Sequence, residues 1–436
     1  MVQLGCSTRH VLQEGFLMSI IQQPTLFDID YLEKLDIQEK YKEIFSPIDW
    51  TKVLDLFEKD SNVGPSITVN DEALLRSLMA RIDQKIPTQK ALIQRLKSDL
   101  RLKLSVGFLY SEPIPSEATY SRVMAVLANH LSVLEKMNQQ LLQLIQEELD
   151  IFTENVAIDV TSIEARTKPV KTVNPKLPST EAQRSMSTEA ILDTIPSYAS
   201  WGVKKNSQGK NYFWFGYKGT LAVSTKSQYI LNMHIASAFA SDVSLAIPTI
   251  RKAAEALKPE KEAPYFSLDK GYDAKEIYQE CHDLDLEPII PLKKIAKNDG
   301  EVDDHYAPTC LLEYSYKYDS YDKRYGALKY ARPESYCRDC PLQDEGLCQK
   351  VIKVKQMNDP RKYNHPARGT RAWKLKYNER SSVERVNGYL KEHHQLDDTR
   401  FYQPSHAIAF YHLIQLTYNA RNFANQRVAK ATKEKK

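Results

Sequence analysis

The chain has 436 residues, 42% hydrophobic and 27% charged, and its 60 Lys and Arg against 56 Asp and Glu leave a net charge of +4. That is an ordinary globular composition, long enough for two or three domains and a sizeable core. No apolar run approaches the roughly 20 residues that span a bilayer, so no membrane partner is expected, and so small a net charge does not by itself announce a nucleic-acid partner.

The first stretch, MVQLGCSTRHVLQEGFLM, lacks both a secretory signal and the pattern of an ordered element. Residues 1–29 are therefore expected to be disordered, and Met18 is an alternative start to Met1. Residues 30–150 read as all helix. NDEALLRSLMARI carries an Asn70 cap and apolar residues at helical spacing; TQKALIQRLKSDL follows Pro87. Pro115 and Ser116 then open one long amphipathic helix through QLLQLIQEEL. Two short helices, a turn and a third helix fit a helix-turn-helix-like DNA reader or a plain bundle.

The pattern changes near residue 155. NVAIDVTSIEA is a β-branched run broken by Asp159, and KNYFWFGYKGTLAVST and QYILNMHIASAF read as paired strands. Residues 167–200, rich in Pro, Ser and Thr, read as a loop or insertion. SDVSLAIPTIRKAAEAL is a helix capped by Ser241 or Asp242. PYFSLDKGYD is a strand ending in Asp269, AKEIYQECHD is helical, and LEPIIPL is a strand. The order is three strands, helix, strand, helix, strand. A Tyr-rich, Cys-bearing stretch with weak helix signals covers 292–370. YNERSSVERVNGYLK and then SHAIAFYHLIQLTYNARNFANQRV read as helices, the second amphipathic, before a disordered basic tail at 429–436. Between Lys350 and Arg380 ten basic residues face only Asp359 and Glu379, a local charge that suits an anionic polymer or a solvated surface.

Three acids stand out. Asp159 interrupts an apolar strand, where an uncompensated charge is costly. Asp269 ends another strand just before Gly271. Glu384 lies on a helix face shared with Tyr377, Arg380 and Lys391 if one continuous helix covers 377–391. Carboxylates at strand ends and on a nearby helix can converge on hard cations; taken singly, each is equally a turn or salt-bridge residue.

Tyr377, Arg380, Glu384 and Lys391 match Tyr-x2-Arg-x3-Glu-x6-Lys; Asp269-Lys270-Gly271-Tyr272 and Asp159-Val160-Thr161 supply a second and a first acid motif. In these motifs, over roughly residues 60–425, the chain resembles DDE-type insertion-sequence transposases. The resemblance implies an α/β fold: a ribonuclease H-like mixed five-stranded sheet flanked by helices, behind an all-helical N-terminal domain, with an insertion before the last catalytic helix. The implied domains are a DNA-binding unit at 30–150, a catalytic unit at 151–291 plus 371–428, and an insertion at 292–370. It implies two Mg²⁺ ions, replaceable by Mn²⁺, on Asp159, Asp269 and Glu384. Tyr377, Arg380 and Lys391 would contact DNA phosphate or sugar. The implied partners are double-stranded DNA, as terminal inverted repeats and target, and a second copy in a paired-end homodimer. The implied compartment is a prokaryotic cytoplasm. An inactive, purely DNA-binding relative or a nuclease without strand transfer are the alternatives.

The expected compartment is reducing, so six cysteines are metal ligands or free thiols before they are disulfides. Cys337-x2-Cys340-x7-Cys348, with Cys310 or His365 as fourth ligand, could hold a structural Zn²⁺ or could be packed thiols. Cys6 and Cys281 look unrelated. Trp373 and the tyrosines 314, 316, 318 and 321 are candidates to stack on an unpaired base, or are one face of a sheet.

Overall fold

The computed structural model describes residues 31–58, 69–151, 155–171, 173–205, 208–257, 263–293, 302–342, 348–398 and 400–434. The expectations for residues 1–29, including Met18 and Cys6, lie outside them.

The N-terminal part is helical: α1 (Ile37–Phe45), α2 (Thr51–Leu54), α3 (Asp71–Asp83), α4 (Gln89–Ser98), α5 (Leu100–Ser105), α6 (Glu117–Asn129) and α7 (Leu131–Leu149). Side-chain caps set its boundaries. Asn70 accepts from the Ala73 amide at 3.0 Å, Thr88 from Ala91 at 3.0 Å and Ser116 from Thr119 at 3.4 Å. The single helix expected after Pro115 is two, because His130 leaves helical geometry (φ −131°, ψ 44°) between α6 and α7.

The second part alternates strand and helix: β1 (Val156–Glu164), α8 (Thr180–Arg184), α9 (Thr188–Thr194), β2 (Ser200–Lys205), β3 (Asn211–Ser224), β4 (Ile230–Ser237), α10 (Asp242–Glu255), β5 (Tyr265–Leu268), α11 (Lys275–Asp283) and β6 (Glu287–Ile289). The sheet is mixed. β1 pairs antiparallel with β3 and parallel with β5, and β5 is parallel to β6. β3 is long enough to carry β1 on one edge and both β2 and β4 on the other. The sheet thus has six strands, not the expected five. The extra strand, β2, begins where the loop 167–200 was expected to end, and that stretch itself folds into α8 and α9, each capped by a serine.

Gly216 on β3 crosses β1 so closely that a Cβ there would lie 2.0 Å from the Ile163 carbonyl oxygen. Residues 302–358 include a separate three-stranded antiparallel sheet of β7 (Lys317–Asp322), β8 (Ala327–Ala331) and β9 (Val351–Lys355), with the short α12 (Glu334–Cys337). Three helices finish the chain: α13 (Arg371–Asn378), α14 (Ser381–His393) and α15 (Pro404–Glu434).

α15 departs most from expectation. Its sequence reads as amphipathic, yet every residue from Ala407 to Asn425 is buried, against α1, α3, α6 and α7 on one side and β4 on another. A polar helix can be buried only if its polar groups find partners. Asn419 donates to the Asn138 side chain at 2.8 Å and to the Ile230 carbonyl at 2.9 Å, and accepts from the Ile230 amide at 3.0 Å. Arg421 meets Asp83 at 2.7 Å. One hydrophobic core consequently runs from Leu78 and Leu96 through Phe410 and Ile414 to Ile158 and Leu221. α15 also continues through most of the stretch expected to be a disordered tail; residues 435–436 lie outside the described ones.

Candidate active site

The sheet register brings two of the three acids together. Ile158 of β1 is level with Leu268 of the parallel β5. The next residues are Asp159, where β1 runs on past the end of β5, and Asp269, which follows β5 directly, so the two acids are neighbours across the point where the parallel pairing stops. α14 packs across β1 and β3 and supplies Glu384 from its first turn. Asp159 is the inner member. Burial pushes its carboxyl up to about 6; the Val160 amide and Arg380 pull it down, while Asp269 and Glu384 push it up further.

Arg380 stands among these acids. Its Nη1 is 3.8 Å from Asp159 Oδ2, and its Nη2 donates to Glu384. Burial lowers the guanidinium's pKa, but Glu384, Tyr377 and Asp159 together hold it above the ordinary value. The expected continuous helix over 377–391 is interrupted here. Glu379, Arg380, Ser382 and Val383 bond three residues back, a tightened turn between α13 and α14. Both Glu379 and Arg380 keep helical dihedrals, so Tyr377 stays next to Arg380, whose Cζ is 5.8 Å from its ring centroid. Tyr377 stacks on Trp373 at 5.3 Å. Burial and then Asp269 and Glu384 raise its hydroxyl's pKa, with Arg380 opposing.

Lys391 is placed differently. Its Nζ donates to the Ser162 carbonyl at 2.8 Å and pairs with Asp397 at 2.9 Å, so it ties α14 to β1 beyond the acids. Three residues with no site role expected from the sequence also belong to this region. Glu379 accepts from Asn155 at 2.6 Å and Thr225 at 3.1 Å and so anchors the α13–α14 turn to the sheet. Of the two cap candidates, Ser241 does the capping, and Asp242 accepts from Lys218 at 2.7 Å. Tyr272 is buried beside the acids. Tyr272 stands in the second acid motif, but nothing in the local sequence marks the partners of Glu379 and Asp242, which lie far along the chain.

Among the described residues no group of three or more His, Cys, Asp or Glu is arranged to hold a metal ion. In the acid group the cation among the carboxylates is Arg380. In the insertion the four thiols share a neighbourhood only. Burial raises the Cys337 thiol's pKa, and Cys340, Cys310 and Cys348 push it further. Cys310, Cys337, Cys340 and Cys348 form no disulfide, and the alternative ligand His365 stacks on Tyr321 at 4.4 Å. Cys281 is buried elsewhere.

The stacking candidates divide likewise. Tyr316 is buried with its hydroxyl on the Gln349 carbonyl at 2.9 Å; Tyr318 and Tyr321 are bonded within the insertion to His365 and Gln356. Tyr314 is exposed and stacks on Tyr336 at 4.8 Å. A cavity of about 250 Å³ between α7, β4 and α10, lined by Asn138, His234 and Lys252 among others, contains none of the three acids. No helix among the described residues is long and apolar enough to cross a membrane.

The family model "Transposase DDE domain" matches residues 151–420, more than half of the chain, and "Transposase domain (DUF772)" matches residues 30–125. Among solved structures, the piggyBac transposase synaptic complex with hairpin DNA is 10% identical, with 90% of this chain and 75% of that chain covered and a TM-score of 0.39. The Mos1 transposase paired-end complex with left transposon end is 12% identical, with 81% and 87% covered and a TM-score of 0.18. No curated protein matches. With the DDE model covering more than half of its length, this chain belongs to the DDE-type insertion-sequence transposases and is an enzyme of that family.

Proposed function

We propose that this transposase binds the terminal inverted repeats of its insertion sequence, cuts the DNA at the element ends and joins them to target DNA. Asp159, Asp269 and Glu384 would be the catalytic acids, on a sheet of ribonuclease H-like type. The observation that carries this reading is the shared electrostatic neighbourhood of the three. Asp159 on β1 and Asp269 just after β5 are neighbours across adjacent parallel strands, and the third acid comes from α14, preceded by Arg380, which pairs with both Asp159 and Glu384. A buried carboxylate such as Asp159, whose pKa the neighbouring Asp269 and Glu384 push up, is suited to a hard divalent cation, which relieves that repulsion. Asp159, Asp269 and Glu384 would hold Mg²⁺, which when bound activates water and stabilises a leaving oxygen.

The chain's own residues supply positioning. Asp159 must be ionised to act, and Arg380 favours that form. Arg380 also presents a forked donor to a phosphate oxygen beside the acids. Tyr377, its ring held by Trp373, would face the sugar–phosphate at the transferred end. Lys391 fixes how far α14 lies along β1, and hence where Glu384 sits. The helical part at 30–150 would recognise the ends, the insertion at 292–370 would hold DNA near the acids, and 151–291 with 371–428 would do the chemistry. Two ends must be cut together, so a dimer on paired ends is the working unit.

The test is cleavage and joining with Mg²⁺ on DNA fragments carrying the flanking inverted repeats. Wild type cuts and joins; Asp159→Ala and Glu384→Ala do neither. Activity surviving in either variant would defeat the site assignment.

A further inference from the structure

We propose that Asp242 and Tyr272 form a fourth arm of the acid pocket, one that orients the water shell of a hydrated divalent cation; this rests on the reading of the acids given above. α10 abuts the turn that follows Asp269. A Cβ built on Gly271 would lie 4.0 Å from Asp242 Oδ2 and 4.0 Å from Asp269 Oδ2, so these two oxygens flank Gly271 and are separated by at most twice that distance. Asp242 is held in place from behind. Lys218 Nζ donates to its Oδ1 at 2.7 Å and to the Ala240 carbonyl at 2.7 Å, which leaves Oδ2 as the oxygen facing Gly271. Asp242 also lies in the first turn of a 14-residue helix, whose dipole favours the charged carboxylate.

Tyr272 is the independent observation. Its side chain is 1% exposed, and its hydroxyl has no hydrogen-bond partner. It lies on the turn after Asp269 that α10 abuts, within electrostatic reach of Asp242, Asp159 and Asp269, and is bonded to none of them. A buried hydroxyl without a partner is costly, and a fold that keeps one beside its acids has a use for it. The chemistry is complementary: the water of a hydrated cation donates to the free Asp242 oxygen and accepts from the Tyr272 hydroxyl. Magnesium-type ions keep several waters, and groups that hold those waters set affinity.

The experiment is Mn²⁺ binding to the full chain without DNA, read by electron paramagnetic resonance, together with thermal melting. Wild type is compared with Asp242→Asn, Tyr272→Phe and, as reference, Asp159→Asn. Asp242→Asn is expected to weaken Mn²⁺ binding by about tenfold or more. Tyr272→Phe is expected to weaken it severalfold while the melting temperature holds or rises, because only an unpartnered hydroxyl is removed. Wild-type Mn²⁺ affinity in Tyr272→Phe, or weakened binding that comes with a lower melting temperature, overturns the inference. The phenylalanine variant decides alone if Asp242→Asn does not fold. Wild-type affinity in Asp159→Asn would instead overturn the underlying reading of the acids.

Discussion

Arg380 reaches both Asp159 and Glu384, with Nη1 3.8 Å from the first carboxylate and Nη2 bonded to the second. One guanidinium thereby offsets the repulsion between a strand acid and a helix acid, and it does so from the tightened turn between α13 and α14. Removing it should leave Asp159 with burial and two like charges, so its pKa rises and less of it is ionised at neutral pH. Arg380→Ala is expected to lower DNA cleavage by about a hundredfold, the scale of losing one preorganised charge at a reacting centre. Arg380→Lys, which keeps the charge but loses the fork, should fall between that and wild type. Nicking rates on inverted-repeat DNA check both; equal rates in the lysine variant and wild type would remove the fork from the account.

The raised pKa of Asp159 has a stability consequence with a definite sign. Its folded value of about 6 lies above the ordinary 3.8, so ionisation penalises the fold. That penalty is absent below the ordinary value and complete above the folded one. Asp159→Asn should therefore stabilise the metal-free protein at pH 8, by on the order of 2–3 kcal/mol, and bring no gain near pH 4. Melting curves in chelator at the two pH values measure it. Added Mg²⁺ should shrink the advantage at pH 8.

Asp83 is the opposite case. Burial would raise its pKa, but Arg421 at 2.7 Å and Lys40 at 3.1 Å outweigh burial and hold it below the ordinary carboxylate value. Its contribution to stability is present above the unfolded value and is lost as pH falls through the lowered folded one. Asp83→Ala leaves Arg421 and Lys40 short of their shared partner at the join of α1, α3 and α15, and should cost about 3 kcal/mol or more. Urea unfolding at pH 7 reads the loss; the difference between variant and wild type should narrow as the medium is acidified.

Gly216→Ala tests the strand crossing. The new Cβ would meet the Ile163 carbonyl oxygen at 2.0 Å and the Ala165 nitrogen at 2.8 Å, both backbone atoms fixed in β1 and just beyond it. They cannot move without breaking the β1–β3 ladder that carries Asp159. A loss of about 4 kcal/mol or more is expected, visible as insoluble protein or a greatly lowered melting temperature.

The sequence alone carried the order of β1, β3, β4, α10, β5, α11 and β6 and pointed to three acids. Local signals suffice for that: caps at Asn70, Thr88 and Ser116, apolar runs broken at Asp159 and ended at Asp269, and the fixed spacing from Tyr377 to Lys391. Tertiary structure decided what depends on distant partners. The parallel register of β1 with β5 sets Asp159 beside Asp269. The hydrogen bonds of Asn419 to Asn138 and Ile230 let a polar helix become the centre of the core. The closeness of Asp242 and Tyr272 to the acids arises because α10 abuts the turn after β5. Periodicity and capping act over a few residues and so are written locally. Register, burial and electrostatic neighbourhood are sums over groups hundreds of residues apart, and they take values only once the chain is folded.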